Sequence, residues 1–122
     1  MAQQNPTGSL LAEQARRRSS RVLLSVPVIV SGTAADGSQF EEEARTLVVN
    51  AHGALISLAA MVRTNQTLKI THKMTRNTLD CTTVYIGKPQ GGKAQVGIEF
   101  AAPEPFFWQI DFPPEDWTFP ET

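Results

Sequence analysis

Short runs of β-forming residues follow one another through the middle of the chain, separated by turns and not by long helices. The runs contain many β-branched residues or alternate polar with apolar positions. They cover residues 22–32, 39–50, 54–58, 66–73, 79–87 and 94–102. Short sequential strands favour an antiparallel sheet, because parallel strands need long crossover connections. We therefore predict an all-β, mainly antiparallel fold, a small six-stranded β-barrel whose closure removes exposed sheet edges.

Two local signals refine the first hairpin of this barrel. The stretch TAADGS, residues 33–38, contains Asp36-Gly37, a pair typical of tight turns between strands. Pro27 lies inside the first run. Because proline cannot donate a ladder hydrogen bond, it predicts an edge position or a bulge there.

The length of 122 residues suits one domain, which we divide into three segments. Residues 1–14 are predicted to be a flexible N-terminal segment, although good helix formers at 9–18 could make a short helix. Residues 15–102 form the barrel domain. Residues 103–122 form a C-terminal tail that is rich in proline and aromatic residues. Residues 106–110, FFWQI, are expected to make one helical turn, and the tail is expected to pack its aromatic side chains on the barrel.

The charges are unevenly placed along a nearly neutral chain. The formal net charge is -1, yet four of the 11 basic residues lie at 16–21, and only acidic charges follow Lys93. A local field therefore matters more than the total. The single cysteine excludes an intrachain disulfide, and we see no signal peptide and no apolar run of about 20 residues. These features predict a cytoplasmic protein with no membrane partner.

The sequence offers no catalytic constellation. His52 and His72 lie on separate elements, and His72 is expected to be a half-buried strand residue. Cys81 is expected to be a small buried hydrophobe. A Cys/His metal site would need more ligands than these, and no phosphate-binding glycine loop is present. The acidic run 41–43 is expected to be a solvated strand end. We predict no enzyme activity, no metal and no cofactor.

The arginines at the start of the barrel are the strongest candidates for ligand binding. Arg17 and Arg21 are spaced R-x-x-x-R, with Arg16 and Arg18 beside them. A guanidinium holds a phosphate or a guanine edge through a planar fork and can stack on a base. A nucleotide clamp is thus one interpretation, and a solvated basic turn is the other. One short basic cluster gives little support to nonspecific nucleic-acid binding, so no nucleic-acid partner is predicted.

Three stretches together resemble the PilZ domain family, bacterial receptors for cyclic di-GMP. RRSSR, residues 17–21, runs into VLLSVPVIV as the family's R-x-x-x-R switch runs into its first strand. VVNAHGALI, residues 48–56, stands where the family has D/N-x-S-x-x-G. VGIEF, residues 96–100, is similar to the closing barrel strand. The resemblance covers roughly residues 15–102, and the tail FWQIDFPPEDW is similar to the end of a subset of PilZ-like proteins.

The resemblance implies a cyclic di-GMP site on particular residues. Arg17 and Arg21 match the arginines that grip phosphates and guanines, and Arg16 before them implies that two stacked ligands can bind. Aligned on Gly53, which lets the backbone pass close to a base, the second motif places Asn50 at the serine position. Asn50 can offer an amide oxygen to a guanine donor. His52 is a further candidate for a hydrogen bond or for stacking, against the alternative of a surface turn residue.

Val48 occupies the acidic position of this motif and cannot accept a guanine hydrogen bond. Losing a charge-assisted bond of about 1.5 to 3 kcal/mol weakens binding roughly ten- to a hundredfold. An alignment that starts at Asn50 would put His52 at the serine position, but it would put Leu55 at the glycine position. We prefer the alignment on Gly53 for that reason.

The sequence therefore predicts a single-domain receptor or adaptor. Cyclic di-GMP would draw the N-terminal segment onto the barrel, and an unidentified effector protein would recognise the changed surface. The protein would be a monomer or a weak dimer. The alternative is a degenerate PilZ-like protein-interaction module that does not bind cyclic di-GMP. Its arginines would bind an acidic partner, and its aromatic tail would be a docking surface formed by Phe106, Phe107, Trp108 and Trp117.

Overall fold

Seven antiparallel β-strands form almost all the regular structure in the computed structural model, which describes residues 20–110 and 113–118. The strands are β1 (Val22–Leu23), β2 (Pro27–Thr33), β3 (Gln39–Asn50), β4 (Gly53–Leu58), β5 (Thr67–His72), β6 (Thr78–Ile86) and β7 (Ala94–Phe100). A one-turn helix, α1 (Glu115–Thr118), lies in the tail. The predictions of a flexible segment at 1–14 and of a helix at 9–18 lie outside the described residues.

Six of the strands close into a barrel. They pair in the order β3-β2-β5-β6-β7-β4, and β4 pairs with β3 again to complete the ring. β1 lies outside the ring and pairs with the second half of β3. The predicted all-β, mainly antiparallel, six-stranded barrel is therefore confirmed. The predicted first strand is divided between β1 and β2.

The division between β1 and β2 is a one-residue bulge next to Pro27. Leu23 pairs with Val48 and Pro27 pairs with Arg45, so four steps along the first strand match three steps along β3. Of the two positions predicted for Pro27, the bulge is correct. The edge position is wrong, because β2 pairs with β3 on one side and β5 on the other. As the first residue of β2, Pro27 costs the ladder little.

Thr46 supplies the hydrogen bonds that the bulge takes from the ladder. Its hydroxyl accepts the backbone N–H of Val26 at 2.8 Å and donates to the carbonyl oxygen of Leu24 at 2.6 Å. The side chain is completely buried. Both backbone groups thus keep a partner where the regular pairing fails, which holds β1 against β3.

The inward-facing residues of the barrel form a continuous apolar core. Alternate positions are buried along most strands, as expected for a sheet with one face in the core. Cys81 is buried as predicted, whereas His72 is only 4% exposed and so is buried and not half-buried. The largest completely buried apolar side chains of the strands are Val28, Val30, Val49, Ile56, Leu58, Leu68, Ile70 and Val96.

Candidate functional site

The arginine segment, residues 16–21, leads directly into β1. Arg16 and Arg17 lie outside the described residues. Ser20 is half-buried, and the side chain of Arg21 is exposed to solvent. Arg21 therefore presents its guanidinium on the surface at the point where the chain joins the barrel.

The pairing of β1 with β3 brings the two predicted motifs to one end of the barrel. Val22 faces Val49 across the strands, so Arg21 and Asn50, the next residues along each strand, lie at the same end. The turn that connects β3 to β4 begins at Asn50. Arg21 and the predicted second motif thus occupy neighbouring positions, although 28 residues lie between them.

Asn50 holds this turn together through its own side chain. Its amide oxygen accepts the backbone N–H of His52 at 2.8 Å, an Asx turn, and only 8% of the residue is exposed. The carbonyl oxygen of His52 accepts the N–H of Phe100, and that of Ala51 accepts the N–H of Glu104. The turn is therefore bound to the end of β7 and to the start of the tail. His52 itself is half-buried.

Gly53 is required by the contact between β4 and β7. A Cβ atom at this position would collide with the carbonyl oxygen of Ile98 and would crowd the backbone of Glu99. The predicted close approach at Gly53 is therefore made by the neighbouring strand. The expected contact with a guanine base stays a prediction.

The tail reaches both predicted motifs through its two tryptophans. The indole N–H of Trp108 donates to the carbonyl oxygen of Asn50 at 2.9 Å. The indole N–H of Trp117, in α1, donates to the carbonyl oxygen of Ser20 at 2.6 Å. Both side chains are nearly inaccessible to solvent, at 2% and 3% exposure. The tail thus bridges the Asn50 turn and the arginine segment.

Asp116 adds a pair of hydrogen bonds at Ser20. One carboxylate oxygen accepts the backbone N–H of Ser20 at 3.1 Å, and the other accepts its hydroxyl at 2.9 Å. Sequence reasoning missed this contact, because no spacing rule links residues 96 positions apart. The only signal was the contrast between the basic start of the chain and its acidic end.

Aromatic contacts fix the middle of the tail on the barrel. The ring of Phe107 packs edge-on against His72, Phe100 and Trp108, with ring centroids 5.9, 5.5 and 4.9 Å apart. The Nδ1 atom of His72 accepts backbone N–H groups of the turn after β5, so it is engaged in the fold. FFWQI forms turns and no helix, and the tail's only helical turn among the described residues is α1.

The predicted docking surface on the tail is largely absent. Phe107, Trp108 and Trp117 all belong to the buried core. Phe106 is 66% exposed and stands alone among the four predicted aromatic residues. The interpretation of Phe107, Trp108 and Trp117 as part of a docking surface is therefore wrong, because these three rings pack inward.

An apolar row crosses the outer face of the barrel beside the arginine segment. Successive pairings join Leu23 to Val48, Val48 to Leu55, Leu55 to Gly97 and Gly97 to Tyr85. Directly paired residues point to the same face of a sheet, and Leu23 is 85% exposed, so this face is the outer one. Val48 thus places an apolar surface where the resemblance expects a carboxylate.

Two chemical properties of the described residues concern metal binding and the reactivity of Cys81. No cluster of three or more His, Cys, Asp or Glu side chains suited to a metal occurs among them. Burial raises the pKa of the Cys81 thiol to about 12, so the nucleophilic thiolate is suppressed. Within residues 20–110 and 113–118, no helix has the length and hydrophobicity to span a membrane.

No protein-family model matches the chain, and a search of curated proteins finds no match.

Proposed function

We propose that this chain is a PilZ-like receptor for cyclic di-GMP. The observation that supports the proposal best is the β1–β3 pairing, which puts exposed Arg21 and the Asn50–Gly53 turn at the same end of the barrel. A guanidinium at the same end of the barrel as a turn suits a ligand that has both phosphates and guanine edges. The arginines carry the electrostatic part of binding, with Arg16 and Arg17 joining Arg21 from the preceding segment.

The remaining contacts of the proposed ligand follow from the surface beside Arg21. The face of a guanine ring packs on the apolar row at Leu23 and Val48, while Gly53 and His52 border the site at the turn. The amide oxygen of Asn50 has a second lone pair for a guanine donor beyond its bond to His52. Without a carboxylate at Val48, affinity is lower than in a site with an acidic residue there.

The proposed receptor works by conformational change and performs no chemistry on its ligand. Binding orders the segment before Ser20 against the barrel, and an effector protein in the bacterial cytoplasm recognises the result. Such a switch requires the ligand to make contacts in one conformation that it does not make in the other. The phosphates of the ligand would make these contacts with the arginines that precede β1.

Calorimetric titration with cyclic di-GMP tests the proposal directly. The wild type is compared with Arg17→Ala/Arg21→Ala, and with Lys88→Ala/Lys93→Ala as a charge-matched control in an exposed loop. Saturable binding that the arginine variant loses and the lysine variant keeps would support the receptor. The stoichiometry would distinguish one bound ligand from a stacked pair. The receptor proposal would be rejected if cyclic di-GMP gave neither heat nor a thermal shift at the highest ligand concentration tested.

A protein-interaction module without a nucleotide is the second candidate. The 85% exposure of Leu23 favours it, because this side chain extends an apolar row that also includes Val48 and Leu55. In this role the arginine segment binds an acidic partner. The titration separates the two functions, because the module predicts no response to cyclic di-GMP.

A further inference from the structure

The carboxylate of Asp116 occupies an anion-binding position in the arginine segment. Two donors from a single residue, the N–H and the hydroxyl of Ser20, hold its two oxygens at 3.1 and 2.9 Å. A phosphate presents the same kind of acceptor oxygens to such donors. Ser20 stands immediately before Arg21 and three residues after Arg17, inside the proposed phosphate-binding stretch.

We propose that Asp116 is an internal competitor for this site, and that an anionic ligand releases α1 when it binds. The inference rests on the proposed function for the natural ligand, and it deepens that function by identifying how the site is regulated. In the ligand-free protein Asp116 occupies both hydrogen-bond donors of Ser20. A phosphate group at Ser20 and Arg21 displaces Asp116, because both anions need the same donors and repel each other.

The connection of α1 to the barrel makes this exchange a structural signal. Trp117 follows Asp116 in the helix, and its indole N–H donates to the carbonyl oxygen of the same Ser20. A ligand that moves Ser20 therefore acts on two tail contacts at once. The helix has only four residues, so little helical hydrogen bonding resists its release, and the burial of the Trp117 side chain is the main interaction that the ligand must overcome.

The rest of the tail stays in place during this release. Trp108 is bound to Asn50, and Phe107 is packed against Phe100 and His72, so residues 104–108 remain on the barrel. The movement is confined to the part of the tail after this anchor. The proposed output is thus a change at residues 113–118.

The decisive experiment compares the affinities of three proteins for two anions. The wild type, Asp116→Asn and Glu41→Gln are titrated by calorimetry with cyclic di-GMP and, separately, with inorganic pyrophosphate. Glu41→Gln removes the same charge from an exposed position in β3. We expect Asp116→Asn to bind about tenfold more tightly than the other two, the factor for a site closed in about nine molecules of ten.

Hydrogen exchange of residues 113–118 provides the second measurement. In the wild type we expect exchange to rise when the anion binds, and in unliganded Asp116→Asn we expect it to exceed that of the unliganded wild type. Stronger binding by Asp116→Asn with this pattern supports the competitor. If all three proteins bind with equal affinity and exchange at 113–118 is unchanged, the proposal that Asp116 competes with the ligand is overturned. The receptor proposal is unaffected by that result.

The pyrophosphate titration distinguishes the failure of the two proposals. If cyclic di-GMP binds to none of the proteins while pyrophosphate binds Asp116→Asn more tightly than the wild type, the receptor proposal fails and the competitor is supported. If neither anion binds to any protein, both proposals are overturned, because removing the negative charge at position 116 then opens no anion site.

Discussion

The indole N–H of Trp108 donates a hydrogen bond to the carbonyl oxygen of Asn50 at 2.9 Å, across 58 residues of sequence. Asn50 ends β3 and opens the turn that the sequence marks as a binding motif. The tail and this turn are therefore one structural unit. The same turn also receives the N–H of Glu104 on Ala51, so its conformation depends on the tail being folded.

Replacing Trp108 is expected to destabilise the whole domain. Trp108→Phe leaves the Asn50 carbonyl without its donor and a gap beside Phe107, and we expect a loss of about 2 to 4 kcal/mol in unfolding free energy. Phe106→Ala, at an exposed neighbour of the same tail, is the control and is expected to cost less than about 1 kcal/mol. Urea denaturation measures both. Equal, small losses would contradict the structural role of the indole.

The barrel could be predicted because each strand has a recognisable pattern in its own stretch of sequence. Alternation and β-branched residues mark the strands, and tight-turn residues such as Asp36-Gly37 mark their ends, so the strand count and antiparallel pairing follow. The bulge at Pro27 was predictable as one of two alternatives. The hydrogen bonds of Thr46 at this bulge were not predictable, because a hydroxyl that bonds residues 20 and 22 positions away leaves no pattern in the sequence.

Gly53 is expected to tolerate no side chain, whatever the ligand. Gly53→Ala places a methyl group against the carbonyl oxygen of Ile98, which belongs to the rigid ladder of β7, and we expect a loss of about 3 kcal/mol or more. In Gly97→Ala the new atom lies 3.2 Å from the Cβ of Tyr85, a contact that a small shift relieves, so the loss should be smaller. Thermal and urea denaturation of the two variants give the comparison. A Gly53→Ala protein as stable as Gly97→Ala would refute the strand contact.

The candidate site could be predicted only in part, for a similar reason. The motif residues Arg21 and Asn50 are visible in sequence, and the structure places them at one end of the barrel. The contribution of the tail depends on three-dimensional contacts between the two ends of the chain. Asp116 and Trp117 lie 96 and 97 positions from Ser20 in the sequence, so no local pattern could have identified their contacts with it.

The stability of the domain is expected to depend on the buried thiol at alkaline pH. Burial, with a smaller effect from the charge of Asp80, raises the pKa of Cys81 from 9.0 to about 12 in the fold. The unfolded chain therefore releases this proton first, so the stability is fully present below pH about 9 and is lost as pH rises towards 12.

Comparing the wild type with Cys81→Ala isolates this effect from other alkaline titrations. The variant loses some packing at every pH, but its unfolding free energy should fall less steeply above pH 9 than that of the wild type. Urea denaturation at several pH values below and within this interval measures the slopes. Identical slopes for the two proteins would show that the thiol ionises equally in both states.

A carboxylate restored at position 48 is expected to strengthen nucleotide binding. Val48 lies on the outer face in β3, the strand that pairs directly with β1, so Val48→Asp places its charge next to the arginine segment. A guanine N–H pair could then donate to it, and we expect a gain of roughly ten- to a hundredfold in affinity for cyclic di-GMP. Leu55→Asp is the matched control, because Leu55 is the neighbour of Val48 in the same outer row but lies one strand further from β1.

Calorimetry with both variants separates a specific contact from a general effect of charge. A stronger affinity in Val48→Asp alone supports a guanine edge at this position. If neither variant gains affinity, and circular dichroism shows that both proteins are folded, then cyclic di-GMP either binds elsewhere or does not bind. If the wild type shows no binding of cyclic di-GMP and Val48→Asp binds it, the barrel keeps the geometry of a nucleotide site. The valine at this one position then explains the loss of binding.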